Sequence, residues 1–216
     1  MCLRVWGDNA CFTRPEMKVE RVSYDVITPS AARGVLEAIL WKPAIRWMIT
    51  RIDVLKPIRW ESVRRNEVEA VVSVASIKST MNKSSPLGLY IEDSRQQRAG
   101  LLLREVDYLI HARFELTAQT GLDDNLQKFA EMFRRRAEKG QCFNQPYLGC
   151  REFAAAFAFV DPAGDLPTPI SEDKSLGWML HDIDYSGAEP VPRFFQAEMK
   201  RGIIAVPPFD SPEVRA

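Results

Sequence analysis

Two histidines, His111 and His181, and four cysteines are all the soft ligands that 216 residues provide. The cysteines, Cys2, Cys11, Cys142 and Cys150, show no CxxC spacing. A zinc site draws its ligands from clustered Cys and His, so neither a metal nor any other cofactor is expected. No apolar run approaches the ~20 residues that span a bilayer. The charged start MCLRVWGDNACFTR lacks the apolar centre of a secretion signal. A soluble, cytoplasmic chain with no membrane partner is expected. Net charge is missing as well: 29 Lys and Arg balance 29 Asp and Glu. That argues against a protein that coats nucleic acid through bulk charge.

What is present is a core. A hydrophobic content of 46% over this length can bury one large domain, or one domain with a small appendage. The charge is also distributed unevenly. Residues 1–60 carry ten Lys and Arg against six Asp and Glu, whereas residues 161–216 carry five against ten. A basic start and an acidic end suit a chain that offers one face to a polyanion and another to solvent or a protein partner.

The segment LRVWG reads as a short strand, and KVERVSYDVIT as a second extended run with β-branched residues. A helix follows. Thr28 can cap it, Pro29 fits its first turn, Ala32, Val35, Leu36 and Ile39 recur at helical spacing, and Pro43 ends it. Residues 44–55 then read as a strand. The order repeats later. In EVDYLIHARFEL, Val106, Tyr108, Ile110, Ala112 and Phe114 share one face, while Asp107, His111, Arg113 and Glu115 share the other, which is expected to be open. A helix from Asn125 to Lys139 follows, with Leu126, Phe129, Ala130, Phe133 and Ala137 on its core stripe and Gly140 as its stop. FAAAFAFV, residues 153–160, closes the second strand-helix-strand unit.

Two such halves predict an α+β fold: a ferredoxin-like, RRM-like domain over 1–160, with both helices on one face of a four-stranded antiparallel sheet. RNA-recognition domains leave the opposite face free in this way. Residues 59–104 read as a long polar insertion, functional or mobile. Residues 161–216 open on the Pro-rich acidic run DPAGDLPTPISEDK and read as a small C-terminal antiparallel β-domain.

The chemistry-bearing candidates follow from this frame. Lys128, Arg135 and Lys139 lie at i, i+7 and i+11 on the second helix, a stripe that can face a phosphate backbone. Arg134, Arg135 and Arg136 can equally be a solvated face. On the open sheet face His111 is a candidate acid or base, with Arg113 beside it as a phosphate contact. Tyr108 and Tyr24 are alternatives for proton transfer. Phe129 and Leu40 read as packing, and His181 as structural.

LWKPAIRW, RQQRA, VDYLIHARFEL, MFRRRAEKGQCFNQPYLGCREF, LGWMLHDIDY and FFQAEMKRGIIAVP together resemble the CRISPR-associated Cas-five family of subtype I-C, the d (Dvulg) variant, within the RAMP superfamily. The resemblance covers nearly the whole chain. It implies a metal-independent endoribonuclease that cuts CRISPR repeat RNA in antiviral defence. The product would stay bound by its 5′ handle as guide RNA, beside the other subunits of the type I-C Cascade complex, with duplex DNA a further partner. The implied reaction is attack of a ribose 2′-hydroxyl on its own phosphate. The family's Tyr, Lys and His fall on Leu40, Lys128 and Phe129, so only Lys128 is retained. Leucine and phenylalanine move no protons. The alternative is a noncatalytic subunit that holds RNA.

Overall fold

In the computed structural model, which describes residues 1–17, 19–83 and 87–216, the first helix begins where its cap predicts. The Thr28 hydroxyl accepts the Ala31 N–H at 3.2 Å, and α1 runs Pro29–Ile39 with Pro29, Ala32, Val35, Leu36 and Ile39 buried. Before it lies strand β1 (Cys2–Ala10), and after it β2 (Ile45–Val54). There follow β3 (Trp60–Val68), α2 (Val74–Lys83) and β4 (Arg95–Leu116). Helix α3 (Leu126–Glu138) starts on Asn125, whose side chain accepts the Lys128 N–H at 2.8 Å. The chain ends with β5 (Ala156–Val160), β6 (Lys174–Asp184), β7 (Val191–Lys200) and β8 (Ile203–Ala205).

The strands form one sheet in the order β5-β1-β4-β2-β8-β7-β6, with every neighbouring pair antiparallel. The units β1-α1-β2 and β4-α3-β5 interlock, since β4 lies between β1 and β2, and β1 between β4 and β5. Helices α1 and α3 touch each other. They cover the face that carries Leu3, Val5, Ile52, Tyr108 and Ile110, all of which join one buried core. Residues 161–216 contribute β6, β7 and β8, which enter the same sheet where β8 pairs with β2. Strand β6 also reaches α1, where Arg33 holds Asp182 through bonds of 2.7 and 2.9 Å.

Three expectations change. The run KVERVSYDVIT, whose Lys18 lies outside the described residues, is not a strand and makes only isolated bridges, Thr13 with Ser23 and Val22 with Leu101. Its apolar residues Tyr24, Val26 and Ile27 plug the core without a ladder. The 59–104 insertion is largely β-ribbon: β3 pairs with the first half of β4 from Trp60 opposite Leu103 to Val68 opposite Arg95. Within that insertion, Ser84, Ser85 and Pro86 of the MNKSSPLG stretch lie outside the described residues. Strand β4 bends at Glu105, a left-handed residue at φ +53° that is ion-paired to Arg59 and Arg104. Finally, Leu126 overhangs the end of α3 and is 50% exposed, leaving Phe129, Phe133 and Ala137 as the buried stripe.

Candidate functional site

The cationic candidates of α3 differ in how firmly they are held. Asp124, just ahead of the helix cap, accepts the Gly121 N–H at 2.9 Å and the Lys128 ammonium at 2.9 Å. These bonds, and Lys42 beyond the end of α1, hold its carboxyl below the usual carboxylate range. Lys42, Asp124 and Lys128 thus form one exposed, charge-rich patch where the turn after α1 meets the start of α3. Further along, Arg134 bonds Glu138 at 2.7 Å and lies over the Phe159 ring, 5.4 Å from its centroid. Arg136 donates to the Ile39 carbonyl at 2.8 Å, satisfying an orphan acceptor at the end of α1. One of its five N–H donors is thereby committed to the fold. Arg135 and Lys139 are exposed and make no ion pair among the described residues.

Beneath this patch lie Leu40 and Phe129, the two apolar residues that the resemblance sets against a Tyr and a His. Leu40 is 0% and Phe129 3% exposed. The Leu40 carbonyl accepts the Trp47 indole N–H at 2.9 Å, and the Trp47 ring packs 4.7 Å from that of Phe133. The Lys128 ammonium lies 5.9 Å from the Phe129 ring centroid. Packing is the role expected of both residues, for Phe129 from its helical spacing.

The opposite face of the sheet carries a second polar cluster. His111 Nε2 lies 2.9 Å from Asp53 Oδ2, and Nδ1 3.2 Å from Cys2 Sγ. Arg51 grips Asp53 through bonds of 2.5 and 2.9 Å. The bond to Asp53, helped by Cys2 and opposed by burial, pushes the His111 imidazole up to about 9. Burial raises Asp53, but the bonds from His111 and Arg51 outweigh it and leave the carboxyl below its ordinary value. Arg4 grips Asp107 in the same bidentate way, at 3.0 and 2.7 Å. This face is therefore not open along its centre: Asp53, Asp107 and Leu109 are all buried. It opens at Arg113, which is exposed and 3.8 Å from Glu115.

Strand alternation separates the candidates. Phe114 packs on Trp47 beneath α3, at 5.0 Å between centroids, so His111 and Arg113 point away from the helices. Lys128 and His111 do not share a site. Tyr24 and Tyr108 are buried, their phenols pushed up by desolvation, and neither hydroxyl is available to a substrate. His181 bonds the Pro207 carbonyl at 2.8 Å between the Phe195 and Phe209 rings, a structural setting. Sequence reasoning missed Lys42 and Asp124. The i, i+4 spacing of Asp124 and Lys128 across a helix start was the available signal for one of them. Among the described residues no group of three or more His, Cys, Asp or Glu is placed to hold a metal ion, and no helix is long and apolar enough to cross a membrane.

Comparison with known proteins places this geometry in a lineage. A family model described as CRISPR-associated protein (Cas_Cas5), of the Cas5d type, matches residues 1–207. The CRISPR pre-crRNA endoribonuclease Cas5d of Mannheimia succiniciproducens is 57% identical over 219 residues, spanning 99% of this chain and 97% of its own. The protein of the same name from Thermus thermophilus is 40% identical over 223 residues, 95% of this chain and 90% of its own. Among solved structures, one described as a CRISPR-associated protein superposes with a TM-score of 0.72 at 22% identity, covering 100% of this chain and 95% of its own. The functionally uncharacterized SMU1763c from Streptococcus mutans gives 0.71 at 21%, covering 100% and 96%. At these identities the structural likeness is one of fold.

Proposed function

The chain belongs to the CRISPR-associated Cas5 family, in its subtype I-C form, and from that premise we propose that it is a pre-crRNA endoribonuclease. The observation that carries the reading is the 57% identity, end to end, with a curated CRISPR pre-crRNA endoribonuclease. The reaction is attack of a ribose 2′-hydroxyl on the adjacent phosphate, leaving a 2′,3′-cyclic phosphate and a 5′-hydroxyl. It needs a base, an acid, and positive charge beside the phosphorane. Lys128 supplies the charge: its ammonium is exposed, sits at the start of α3, and is held by the single carboxylate of Asp124, which also feels the charge of Lys42. Such a pair is worth little in water, so a phosphate oxygen can replace Asp124. Arg135 and Lys139 continue the track for the RNA backbone, and Arg134 joins it at the cost of an exposed pair with Glu138. With leucine and phenylalanine where the family carries Tyr and His, the rate falls by roughly 10²–10⁴-fold for a lost acid or base. One cut per retained product tolerates that.

The strand order β5-β1-β4-β2 with two interlocked strand-helix-strand units supports a ferredoxin-like domain over residues 1–160, with 161–216 as a small β-domain continuing its sheet. The partners proposed are CRISPR repeat RNA, the 5′ handle of the guide RNA, the other subunits of the type I-C Cascade, and duplex DNA. The direct test is incubation of the purified protein with its own repeat RNA in EDTA. A cyclic-phosphate product supports the reading; cleavage only on addition of Mg²⁺ contradicts it. The buried, apolar state of Leu40 and Phe129 favours a second reading, a subunit that holds RNA without cutting it. Retention of RNA with no cleavage under any condition selects that one.

A further inference from the structure

Cys11 follows the last residue of β1, and the loop from α3 to β5 folds back onto it. The Cys11 N–H donates to the Leu148 carbonyl at 3.0 Å. Gly149 then passes so close that a Cβ built on it would lie 2.0 Å from the Cys11 oxygen, and its φ of +83° is a conformation that favours glycine. The backbone is thus pressed against Cys11, and the next side chain has little choice of direction. Cys150 Sγ lands 3.7 Å from the Cys11 carbonyl oxygen, which sets the two free thiols side by side. Thr13 Oγ1 lies 3.5 Å from the Cys11 sulfur.

The surroundings are cationic. Cys11, Arg21, Arg65 and Arg98 line a cavity of about 20 Å³ together with Glu67 and Glu152. Glu152 is shared between Arg65, at 2.6 and 2.8 Å, and Arg21, at 3.9 Å. Arg98 Nε is buried there, 3.5 Å from Glu67 Oε2 and without a hydrogen bond of its own among the described residues. The neighbouring Cys11 thiol and the Arg21 charge, opposed by burial and by Glu152, hold the Cys150 thiol below its ordinary value, while Cys150 and burial push Cys11 up. A thiolate beside arginines, partly accessible and next to a second thiol, is the setting of a reactive cysteine with its resolving partner.

We propose that Cys11 and Cys150 form a reversible oxidation site that reacts with hydroperoxides. The Cys150 thiolate attacks the peroxide oxygen and breaks the O–O bond, giving a sulfenic acid and, after protonation, water or an alcohol. The Cys11 sulfur then attacks the sulfenic sulfur, its proton leaving with the hydroxide as water. Two thiols and one peroxide yield one disulfide, and a dithiol reductant reverses the change. The bond pins the α3–β5 loop to the end of β1 and links positions 139 residues apart.

The test treats the purified chain with hydrogen peroxide at pH 7, alkylates the remaining thiols, and maps peptides without reduction. The expected result is a Cys11–Cys150 linkage with two of the four thiols lost, restored by dithiothreitol. Closing so long a loop should raise the melting temperature by about 5–10 °C. In Cys11→Ser, Cys150 should stop at the sulfenic acid and be trapped by dimedone. In the untreated wild type, alkylation of Cys150 should reach its plateau at a lower pH than that of an ordinary thiol. Oxidation of Cys142 with Cys11 and Cys150 left reduced would overturn the proposal. So would a Cys150 in Cys11→Ser that fails to react with dimedone.

Discussion

The two faces of the sheet hold the same kinds of side chain in opposite states. Away from the helices, Arg4, Arg51 and His111 are committed to the buried carboxylates of Asp107 and Asp53. On the helix side, α3 leaves Arg135 and Lys139 unpaired among the described residues and holds Lys128 by one half-buried aspartate at the surface. A cation that leaves a buried carboxylate strands a charge in the interior, whereas one that leaves an exposed carboxylate returns it to water. The first face is therefore built to hold the fold, and the second keeps cations that can exchange their partners at little cost. Alternation along β4 decides which face receives His111, and it goes to the one that holds the fold.

The comparison breaks most visibly at Asp53. Asp53→Ala leaves Arg51 and His111 without their shared acceptor, and a loss of about 3–5 kcal/mol is expected in urea denaturation. An equivalent change at Asp124 should cost far less, because the Lys128 ammonium it releases returns to water. Next in size is a pH effect. His111 titrates at about 9 in the folded chain against an ordinary 6.5. The stability contributed by its protonated form is thus fully present below pH 6.5 and lost as pH rises through 9. Denaturation at pH 6 and pH 10 should differ by on the order of 2–3 kcal/mol from this group, and His111→Ala should remove that difference.

Phe129→His tests the helix side. An imidazole forced into the core beside Trp47 and Phe133 should lower stability by about 1–3 kcal/mol, read as a lower melting temperature. If the ring instead turns outward beside Lys128, the chain should keep its stability and cut repeat RNA faster, most of all with Leu40→Tyr added. The smallest effect falls on the backbone track. Arg135→Ala with Lys139→Ala should weaken repeat-RNA binding and lower the slope of log K against log salt by about 1.4, two contacts on a single strand. An unchanged slope would assign both residues to a solvated surface.

Much of the frame was legible in the residues. The Thr28 cap, the α1 stripe and the alternation of β4 beyond Glu105 report local rules, and the structure follows them. The β3–β4 ribbon was not, because one face of β3 is exposed and the other, with Glu61, Val63, Arg65 and Glu67, mixes polar and apolar residues without a periodic hydrophobic signal, and because the bend at Glu105 looks in sequence like a strand start. The setting of His111 was hidden for another reason: its partners come from strands 58 and 109 residues away. The exposed i, i+4 pair of Asp124 and Lys128 lay within one turn of helix and was readable, whereas Lys42 reaches it only through the packing of α1 on α3.

The most direct test compares single-turnover cleavage of repeat RNA by the wild type, Lys128→Ala and His111→Ala, at a temperature where all three are folded and with RNA affinity measured alongside. Lys128→Ala should cut roughly 100-fold more slowly with its affinity nearly unchanged, because the lost interaction is strongest in the transition state. His111→Ala should cut at the wild-type rate. A cleavage rate that collapses in His111→Ala and survives in Lys128→Ala would place the chemistry on the opposite face of the sheet and contradict this account.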